Sequence, residues 1–529
     1  MAYLLHQLIH DAAQHAPDRD ALLFKQETLT YGALEQEVAR VASGLRALGI
    51  ERDERVAVYL PKQFETVTAM FGTMAAGGVF VPVNPILKPE QVGHILRDCA
   101  TRILITSPDR ARLLNDTLAE CSELTHLVLT GALGEALAGC PQSTHDWQDM
   151  LGPAFFPALR RIDADMAAIL YTSGSTGRPK GVVLSHRNMM AGAQSVASYL
   201  ENTAEDRLLA VLPFSFDYGL SQLTTAFSVG ASVVLMDYLL PRDVIRAVAR
   251  YRVTGLAAVP PLWNQLAQLP WPEEAVACLR YITNSGGAMP VPTTTALQAA
   301  LPRTAIYLMY GLTEAFRSTY LPPDQVAVRP ESMGKAIPNA DILVVRPDGS
   351  ECDVDEPGEL VHRGALVSLG YWGDREKTDI RFKPAPGQPA GLPNPEIAVW
   401  SGDQVRRDAD GYLYFIGRND EMIKTSGYRV SPGEIEEVVY QMPDVEQAVA
   451  FGAPHPQIGY GIVLVVQAPP GTVDVDALMA HCRLHLPMFM LPGHVEIAAE
   501  LPRNPNGKID RKALSSRFAG VFGAAEQHP

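Results

Sequence analysis

The chain has 529 residues, of which 47% are hydrophobic, so it can bury substantial cores and is expected to form more than one domain. The formal net charge of −15 is spread along the chain, which disfavours a nucleic-acid partner or an anionic membrane surface as ligand. The cysteines are scattered without CxxC pairs, which indicates reduced thiols rather than a disulfide framework or a zinc site.

The N-terminal segment Met1–Asp11 has neither a basic start nor a long apolar core. It therefore predicts an amphipathic helix and not a signal peptide. The sequence contains no apolar run of the ~18 residues that a membrane-spanning helix needs. We expect a cytoplasmic protein without a membrane span.

Short apolar runs alternate with helical patterns over the first four-fifths of the chain. The helical pattern is clearest in Gln91–Asp98, and the runs predict the strands Val56–Leu60, Gly78–Pro82, Ile103–Thr106, Leu208–Leu212 and Ala231–Leu235. Such alternation is typical of α/β proteins with layered, largely parallel sheets. The fold class predicted for the large N-terminal region is therefore α/β.

One stretch, Tyr171–Gly181, reads YTSGSTGRPKG and combines hydroxyl residues, glycines and a lysine. Glycines let backbone N–H groups approach an anion, hydroxyls donate to phosphate oxygens, and Lys180 adds a positive charge. The glycine spacing differs from that of the Walker loop. The flanking runs Ala167–Tyr171 and Val182–Leu184 predict strands, and Ser185 predicts the cap of a following helix, so we favour a phosphate-binding loop over a flexible linker.

The residues that follow Gly417 differ in pattern from those before it. A Pro/Gly-rich loop at Lys383–Pro395 precedes this change, and Ser431–Glu434 predicts a capping box. The predicted elements beyond it are the helix Ile435–Met442, the strands Gln447–Gly452 and Ile462–Gln467, and the helix Val475–Leu486. The chain is thus predicted to consist of a large domain, residues 1–418, and a small α+β domain, residues 419–529.

Five ordered motifs carry a resemblance to a known family. They are Tyr171–Gly181, Tyr310–Glu314 (YGLTE), Ser401–Asp403 (SGD), Gly417–Lys424 (GRNDEMIK) and Pro505–Lys508 (PNGK). In this order they resemble the AMP-forming adenylation superfamily, which includes acyl-CoA ligases, luciferases and nonribosomal peptide adenylation domains. The stretches Leu212–Gly219 and Tyr310–Tyr320 are most similar to acyl-CoA ligases of exosortase A systems.

The resemblance implies a nucleotide site with a mobile C-terminal cap. The residues implied to hold the phosphates and Mg²⁺ are Thr172, Ser173, Gly174, Ser175, Thr176, Gly177, Lys180, Thr313 and Glu314, with Glu314 as the metal ligand. Those implied to contact adenine and ribose are Ser285, Gly286, Gly287, Tyr310, Gly311, Asp403 and Arg418.

In the family's reaction a carboxylate attacks the α-phosphate of ATP, and a thiol then attacks the acyl-adenylate. The resemblance makes Lys508 the catalytic cation of the first half-reaction, with Thr313 and Glu314, and Asp420 the hinge about which the C-terminal domain rotates. After rotation the segment Lys424–Tyr428 would face the site, with Gly427 leaving room for a pantetheine arm.

The segment after Leu212-Pro213 departs from many acyl-CoA ligases, because it contains no histidine and carries Asp217 instead. In amino-acid adenylation domains an aspartate in this pattern pairs with the substrate's α-ammonium. The alternative is that Asp217 caps a helix that starts at Tyr218. The sequence leaves both interpretations open.

Further candidates for the acyl pocket are small, polar or adaptable side chains. They are Tyr218, Ser221, Trp263, Asn284 and Met309, of which Trp263 and Met309 could equally belong to the core. They do not describe a long apolar tunnel.

The sequence thus predicts an ATP- and Mg²⁺-dependent ligase that activates a carboxylic acid as acyl-AMP and transfers it to a thiol, with CoA as the favoured acceptor. Two alternatives remain: an amino-acid ligase that loads the phosphopantetheine of an acyl carrier protein, and a catalytically silent nucleotide-binding protein. Intact Lys180, Glu314, Asp403 and Lys508 argue against the silent protein.

Overall fold

A computed structural model describes residues 2–131, 140–156, 159–172, 179–418, 422–425, 428–455, 458–486, 488–505 and 507–523. Its strands form three sheets, and its helices cover the faces of those sheets. The mixed α/β architecture predicted from the sequence is confirmed.

The described strands are short, as expected for runs bounded by turn residues. They are β1 (Asp20–Phe24), β2 (Glu27–Thr30), β3 (Arg55–Tyr59), β4 (Val79–Pro82), β5 (Ile103–Thr106), β6 (His126–Leu129), β7 (Ser143–Asp146), β8 (Met166–Thr172), β9 (Lys180–Ser185), β10 (Arg207–Ala210), β11 (Ser232–Leu235), β12 (Gly255–Ala258), β13 (Tyr281–Asn284), β14 (Ala305–Tyr310), β15 (Thr319–Leu321), β16 (Ser332–Ala336), β17 (Ala340–Val345), β18 (Gly358–Gly364), β19 (Phe382–Pro384), β20 (Ile397–Arg407), β21 (Leu413–Arg418), β22 (Ile423–Thr425), β23 (Tyr428–Val430), β24 (Gln447–His455), β25 (Gly459–Gln467) and β26 (His494–Ala498).

The described α-helices connect these strands. They are α1 (Gln7–His15), α2 (Tyr31–Ala47), α3 (Phe64–Ala75), α4 (Pro89–Asp98), α5 (Pro108–Leu113), α6 (Asn115–Ala119), α7 (Trp147–Met150), α8 (His186–Tyr199), α9 (Asp217–Val229), α10 (Pro241–Tyr251), α11 (Pro260–Ala267), α12 (Glu273–Cys278), α13 (Val291–Ala300), α14 (Arg375–Arg381), α15 (Pro432–Val439), α16 (Val475–His485) and α17 (Arg511–Arg517). No helix in this described set is long and apolar enough to cross a membrane.

The largest sheet contains the parallel block β11-β10-β12-β13-β14, which continues through antiparallel strands into β16, β21, β20, β18 and β17. Helices α9 to α13 provide the crossovers within the block. The carboxyl ends of parallel strands meet at one edge of a sheet, and ligands of α/β proteins bind there. The segments that follow β10, β13 and β14 carry Asp217, Ser285 and Thr313 to this edge.

The second sheet has the order β7-β6-β5-β3-β4-β8-β9 and is parallel except for the antiparallel pair β8–β9. Its strands are buried on both faces: Val56 and Val58 join the core that the two large sheets share, whereas Ala57 and Tyr59 join a separate cluster behind. Burial on both faces explains why these strands read as continuous apolar runs in the sequence.

The C-terminal residues form a five-stranded sheet of order β23-β22-β25-β24, with β26 beside β25. Alternate residues of β24 enter different clusters, Ala448 and Ala450 on one face, Val449 and Phe451 on the other. This alternation is the two-residue period of a strand. The α+β character predicted after Gly417 is confirmed, whereas the domain boundary at 418/419 stays a prediction.

The capping box predicted at Ser431–Glu434 is wrong. Ser431 does occupy the N-cap position of α15 with Pro432 in the first turn, but its side chain makes no capping hydrogen bond. The Ser431 hydroxyl instead donates to the carbonyl of Ile416 in β21. A tertiary hydrogen bond, in which the hydroxyl donates, has therefore replaced the local capping bond, in which it would accept. By contrast, Ser185 caps α8 as predicted, accepting from the N–H of Asn188.

Two fully buried histidines in the large domain are held neutral. His362 Nδ1 lies 2.9 Å from Ser318 Oγ, and His186 Nδ1 accepts from the N–H of Leu5 at 3.1 Å. Burial lowers the pKa of His362 to about 3, and burial, followed by the charges of His6 and Arg161, lowers the pKa of His186 to about 3. Both imidazoles therefore contribute to the dependence of stability on pH.

We expect the free energy of unfolding to fall as the pH drops below 6.5. Between pH 6.5 and the folded-state pKa, each of these histidines binds a proton in the unfolded chain but not in the native protein. Each therefore lowers the free energy of unfolding by about 1.4 kcal/mol for every unit by which the pH falls. His362→Gln should make the plot of the free energy of unfolding against pH shallower by the contribution of one histidine. Denaturant titrations at several pH values test this, with the exposed His15→Gln as control. An unchanged slope in His362→Gln would contradict the assignment.

Candidate active site

Lys180, Glu314 and Tyr371 form a compact polar cluster at the edge of the second sheet. Lys180, the first residue of β9, donates to Glu314 Oε1 at 3.0 Å and to the Tyr371 hydroxyl at 2.7 Å. That hydroxyl donates in turn to Glu314 Oε1 at 2.6 Å. Burial raises the pKa of Glu314, but the Lys180 charge and the hydrogen bonds from Tyr371 and Lys180 outweigh it, so the net pKa is lowered. The carboxylate is thus held ionised, as a metal ligand must be.

The phosphate loop predicted from the sequence joins two paired strands. Strands β8 and β9 are antiparallel, and Thr172 lies opposite Lys180 in their register. Thr172 Oγ1 is buried and has no hydrogen-bond partner among the residues that the structure describes. Ser173, Gly174, Ser175, Thr176 and Gly177 lie outside the described residues. The predicted strand–loop–strand setting is confirmed.

A second cluster consists of Tyr310, the last residue of β14, and of Asp403 and Arg418 on the paired strands β20 and β21. The Tyr310 hydroxyl donates to Asp403 Oδ2 at 2.5 Å, and Arg418 Nε lies 3.6 Å from Asp403 Oδ1. Asp403 and Arg418 are register partners in β20 and β21. Burial and the neighbouring Asp403 charge raise the pKa of Tyr310 well above its usual value. The cluster offers a carboxylate acceptor beside an aromatic face, which suits a ribose and its base.

Lys508 reaches this region from the C-terminal part of the chain. Its turn is closed by the Asn504 N–H, which donates to the Lys508 carbonyl at 2.7 Å, and is held to the large domain by Asn84 Nδ2, which donates to the Pro505 carbonyl at 2.5 Å. Lys508 Nζ lies 5.0 Å from the centroid of the Phe216 ring, within cation–π range.

Gly286 leaves the space that the Lys508 side chain uses. A Cβ at Gly286 would lie 3.0 Å from Lys508 Cε, and Gly286 has φ of +83°, in the region that favours glycine. Ser285 and Gly287 flank it, and Asn284 at the end of β13 donates to the Gly287 carbonyl at 3.0 Å. The structure therefore brings Lys508 and the Ser285–Gly287 segment together.

Asp217 has a partner that the sequence analysis missed. It is the first residue of α9, not its cap: Phe216 occupies the N-cap position, and no side-chain capping bond is made there. The Asp217 carboxylate accepts from Arg317 Nη1 at 2.8 Å and from Thr313 Oγ1 at 3.2 Å. The predicted helix-capping alternative is therefore wrong. The signal available in the sequence was Arg317 itself, a charged residue three places after Glu314 within the quoted segment Tyr310–Tyr320.

Of the remaining pocket candidates, Tyr218 contacts this pair through its ring, 4.7 Å from the Arg317 guanidinium. The Tyr218 hydroxyl is 2.6 Å from Thr283 Oγ1, Ser221 Oγ is 3.5 Å from Thr225 Oγ1, and Met309 Sδ accepts from the Tyr199 hydroxyl at 3.0 Å. Trp263 donates to the carbonyls of Ala258 and Thr283, which identifies it as a core residue. Gly311 follows β14 directly, and a Cβ there would lie 3.2 Å from Arg317 Cα.

Two predicted residues of the domain movement cannot be placed. The hinge candidate Asp420 and the thiol-channel candidate Gly427 lie outside the described residues. Both roles stay predictions.

Glu314 is the acidic side chain best placed to receive a metal ion at this site. Within the described residues no group of three or more histidine, cysteine, aspartate or glutamate side chains could hold a metal on its own. Mg²⁺ usually binds through one or two carboxylates together with substrate phosphates. Glu314, partly buried and ionised beside Lys180, fits that arrangement.

Residues 9–372 match the family model described as AMP-binding enzyme, and residues 434–508 match that of the AMP-binding enzyme C-terminal domain. The chain is 33% identical to an L-proline–[L-prolyl-carrier protein] ligase of Streptomyces coelicolor, over 95% of this chain and 94% of the relative. It is 32% identical to a sulfoacetate–CoA ligase of Cupriavidus necator, over 96% of this chain and 97% of the relative.

Some relatives are far longer than this chain. The chain spans 8% of the length of tyrocidine synthase 3 of Brevibacillus parabrevis, at 29% identity over 96% of its own residues. Among solved structures, an anthranilate CoA ligase in complex with anthranoyl-AMP superimposes with a TM-score of 0.88 at 25% identity, covering 99% of this chain and 98% of that one.

Proposed function

Because the chain belongs to the AMP-binding enzyme family, we propose that it converts a carboxylic acid into a CoA thioester through an acyl-adenylate. The observation that carries this proposal is the series of contacts that links Lys508, through Phe216 and Asp217, to the Thr313–Glu314 turn. Lys508 lies against Phe216, and the residue after Phe216, Asp217, accepts a hydrogen bond from Thr313. Thr313 directly precedes Glu314, which accepts a hydrogen bond from Lys180. These contacts support Lys508 as the cation for the attacking carboxylate and the Thr313–Glu314 turn as part of the phosphate site.

In the first half-reaction a carboxylate oxygen attacks the α-phosphorus of ATP, and the bond to pyrophosphate breaks. The two reactants are both anions, so the barrier depends on neutralising and aligning them. Lys508 would hold the carboxylate, Thr313 would donate to the α-phosphate, and Lys180 would stabilise the leaving pyrophosphate. Tyr310 and Asp403 would fix the base and ribose. Bound Mg²⁺, with Glu314 as its protein ligand, would supply further positive charge to the phosphates.

In the second half-reaction the thiol sulfur attacks the acyl carbonyl, and AMP leaves with its electron pair. Lys508 occupies the site in the described arrangement, so this step needs the C-terminal domain to turn away, with Asp420 as the proposed hinge. Withdrawal of Lys508 would open the side from which a pantetheine arm arrives. Domain closure of this kind is absorbed by a few hinge residues.

One specific observation favours a second function, the loading of an amino acid onto a carrier protein. The relative from Streptomyces coelicolor has this activity in its name, and its identity extends over 94% of its length. The pairing of Asp217 with Arg317 argues against it, because the carboxylate that would receive the ammonium already has a cation.

The test is a product analysis with both acceptors. The full chain is incubated with ATP, Mg²⁺ and a panel of acyl, aryl and amino acids, and the thioesters formed on CoA and on a phosphopantetheinylated carrier protein are identified by mass spectrometry. We expect an acyl-CoA from an acid without an amino group. Thioester on the carrier protein alone would overturn the choice of CoA, and ATP binding without any product would identify a silent binding protein.

A further inference from the structure

The Asp217–Arg317 pair adjoins groups to which the proposed function assigns the reacting carboxylate and phosphate, since Asp217 accepts from Thr313 and follows Phe216, the contact of Lys508. Arg317 and Asp217 are only 1% and 4% exposed. A substrate whose carboxylate lay between Lys508 and Thr313 would direct its next carbon atoms towards Asp217, because Thr313 donates to Asp217 and Phe216 contacts Lys508.

Both oxygens of the Asp217 carboxylate already accept hydrogen bonds from the protein. Oδ2 accepts from Arg317 Nη1 at 2.8 Å, and Oδ1 accepts from Thr313 at 3.2 Å. A buried carboxylate needs a compensating charge, and here the chain provides it. An ammonium group brought to Asp217 would meet the guanidinium in a site of low polarity, where like charges repel strongly.

The conformation of Phe316, the residue before Arg317, helps to hold the guanidinium in the protein interior. Phe316 has φ of 57° and ψ of −44°, a positive-φ conformation that is strained for an aromatic residue. The Phe316 ring fills the space beside Gly192, where a Cβ would lie 2.4 Å from its Cδ1 atom. Arg317 Nη1 also donates to the Phe316 carbonyl at 2.8 Å, and its guanidinium lies 4.7 Å from the Tyr218 ring centroid.

Two further donors of Arg317 are buried without an acceptor. Nε and Nη2 have no hydrogen-bond partner among the residues that the structure describes. Buried donors without acceptors destabilise the site, and an oxygen atom of a ligand would relieve that cost. Hydroxyl, keto and carboxylate oxygens are all suitable acceptors, whereas an ammonium group is not.

We propose that Arg317 is a specificity-determining residue that replaces a substrate ammonium within the protein, so that the site rejects α-amino acids and accepts acids with an oxygen substituent near the carboxyl group. This inference rests on the proposed function, because it assumes that the acyl group lies beside Asp217. The proposal predicts that an ammonium group weakens binding, whereas a hydroxyl group of nearly the same size on the same carbon atom does not.

The experiment uses three acyl-sulfamoyl adenosines, which mimic acyl-adenylates and differ only in one substituent. These probes are the glycyl, acetyl and glycolyl compounds, with an ammonium group, a hydrogen and a hydroxyl at the same carbon. Their affinities for the full chain are measured by calorimetry. We expect the glycyl probe to bind about tenfold or more weakly than the acetyl probe, and the glycolyl probe to bind at least as tightly as the acetyl probe.

Arg317→Met should reverse the order of the glycyl and acetyl probes, because an ammonium could then pair with Asp217. Arg317→Lys keeps the charge with less change in packing, so it should still reject the glycyl probe, and this variant carries the test if Arg317→Met does not fold. The matched control is Arg161→Met, which removes one member of another buried pair, Arg161–Asp165 at 3.0 Å. That pair lies beyond the opposite end of β8 from Thr172, so the probe ratio should not change.

Glycyl binding equal to or tighter than acetyl binding in the unaltered chain would overturn the inference, as would equal binding of both in Arg317→Lys. Failure of all three probes to bind would overturn the proposed function and the inference together. If the probes bind with the expected preference while no acid supports pyrophosphate exchange, the proposed catalysis fails and the inference about the pocket stands.

Discussion

Lys508→Ala is expected to lower the rate of acyl-adenylate formation by about a hundred- to a thousandfold, the cost of removing one preorganised charge-stabilising donor. The side chain lies between Gly286 and Phe216, where it would neutralise the attacking carboxylate. The turn that presents it is closed by backbone bonds and by Asn504, so truncation beyond Cβ should leave the turn intact. Pyrophosphate exchange and single-turnover adenylation measure the loss.

The second half-reaction distinguishes a catalytic role of Lys508 from a structural one. With a synthetic acyl-adenylate and CoA, Lys508→Ala should form thioester at nearly the rate of the unaltered chain, because that step needs Lys508 withdrawn. Lys512→Ala, an exposed lysine on α17, is the matched control and should affect neither step. Equal losses in both half-reactions would show that Lys508 only holds the domain in place.

Glu314→Gln is expected to reduce kcat/KM for ATP by about a hundredfold or more, since it removes a partly buried charge partner of Lys180 and the proposed metal ligand together. Lys180 would lose its carboxylate at 3.0 Å and would be less well positioned for the phosphates. The dependence of the rate on Mg²⁺ concentration should shift to higher concentrations. Steady-state kinetics at a series of Mg²⁺ concentrations measure both changes.

Tyr371→Phe tests how much the hydrogen bond to Glu314 contributes when the carboxylate charge is kept. The Tyr371 hydroxyl donates to Glu314 and accepts from Lys180, so its removal loosens the cluster but leaves the carboxylate in place. We expect a loss of about tenfold, the scale of one hydrogen bond to a charged group, with the Mg²⁺ dependence unchanged. A loss as large as that of Glu314→Gln would mean that Glu314 acts mainly by positioning Tyr371.

The sequence predicts best those elements that are determined by residues close to one another in the chain. Ile103–Thr106 is a strand because three apolar residues in a row, followed by a β-branched threonine, suit burial on both faces, and the structure has it with those bounds. Ser185 caps α8 because its acceptor and donor lie within three residues.

The features that the sequence does not reveal depend on contacts between distant segments. Asp217 and Arg317 are 100 residues apart in the chain, and only the packing of α9 against the turn after β14 brings them together. For the same reason, the Ser431 side chain makes no local capping bond and donates instead to the Ile416 carbonyl on β21. Local patterns identify which residue types are present, whereas the fold decides which partner each one meets.

The central claim, that the acid becomes an acyl-adenylate, is tested most directly by following an oxygen atom. A carboxylic acid labelled with heavy oxygen in its carboxyl group is converted to thioester in the presence of ATP, and the AMP formed is analysed by mass spectrometry. If the carboxylate attacks the α-phosphate, one labelled oxygen must appear in AMP. Product thioester accompanied by unlabelled AMP, or by ADP and phosphate, would contradict the account.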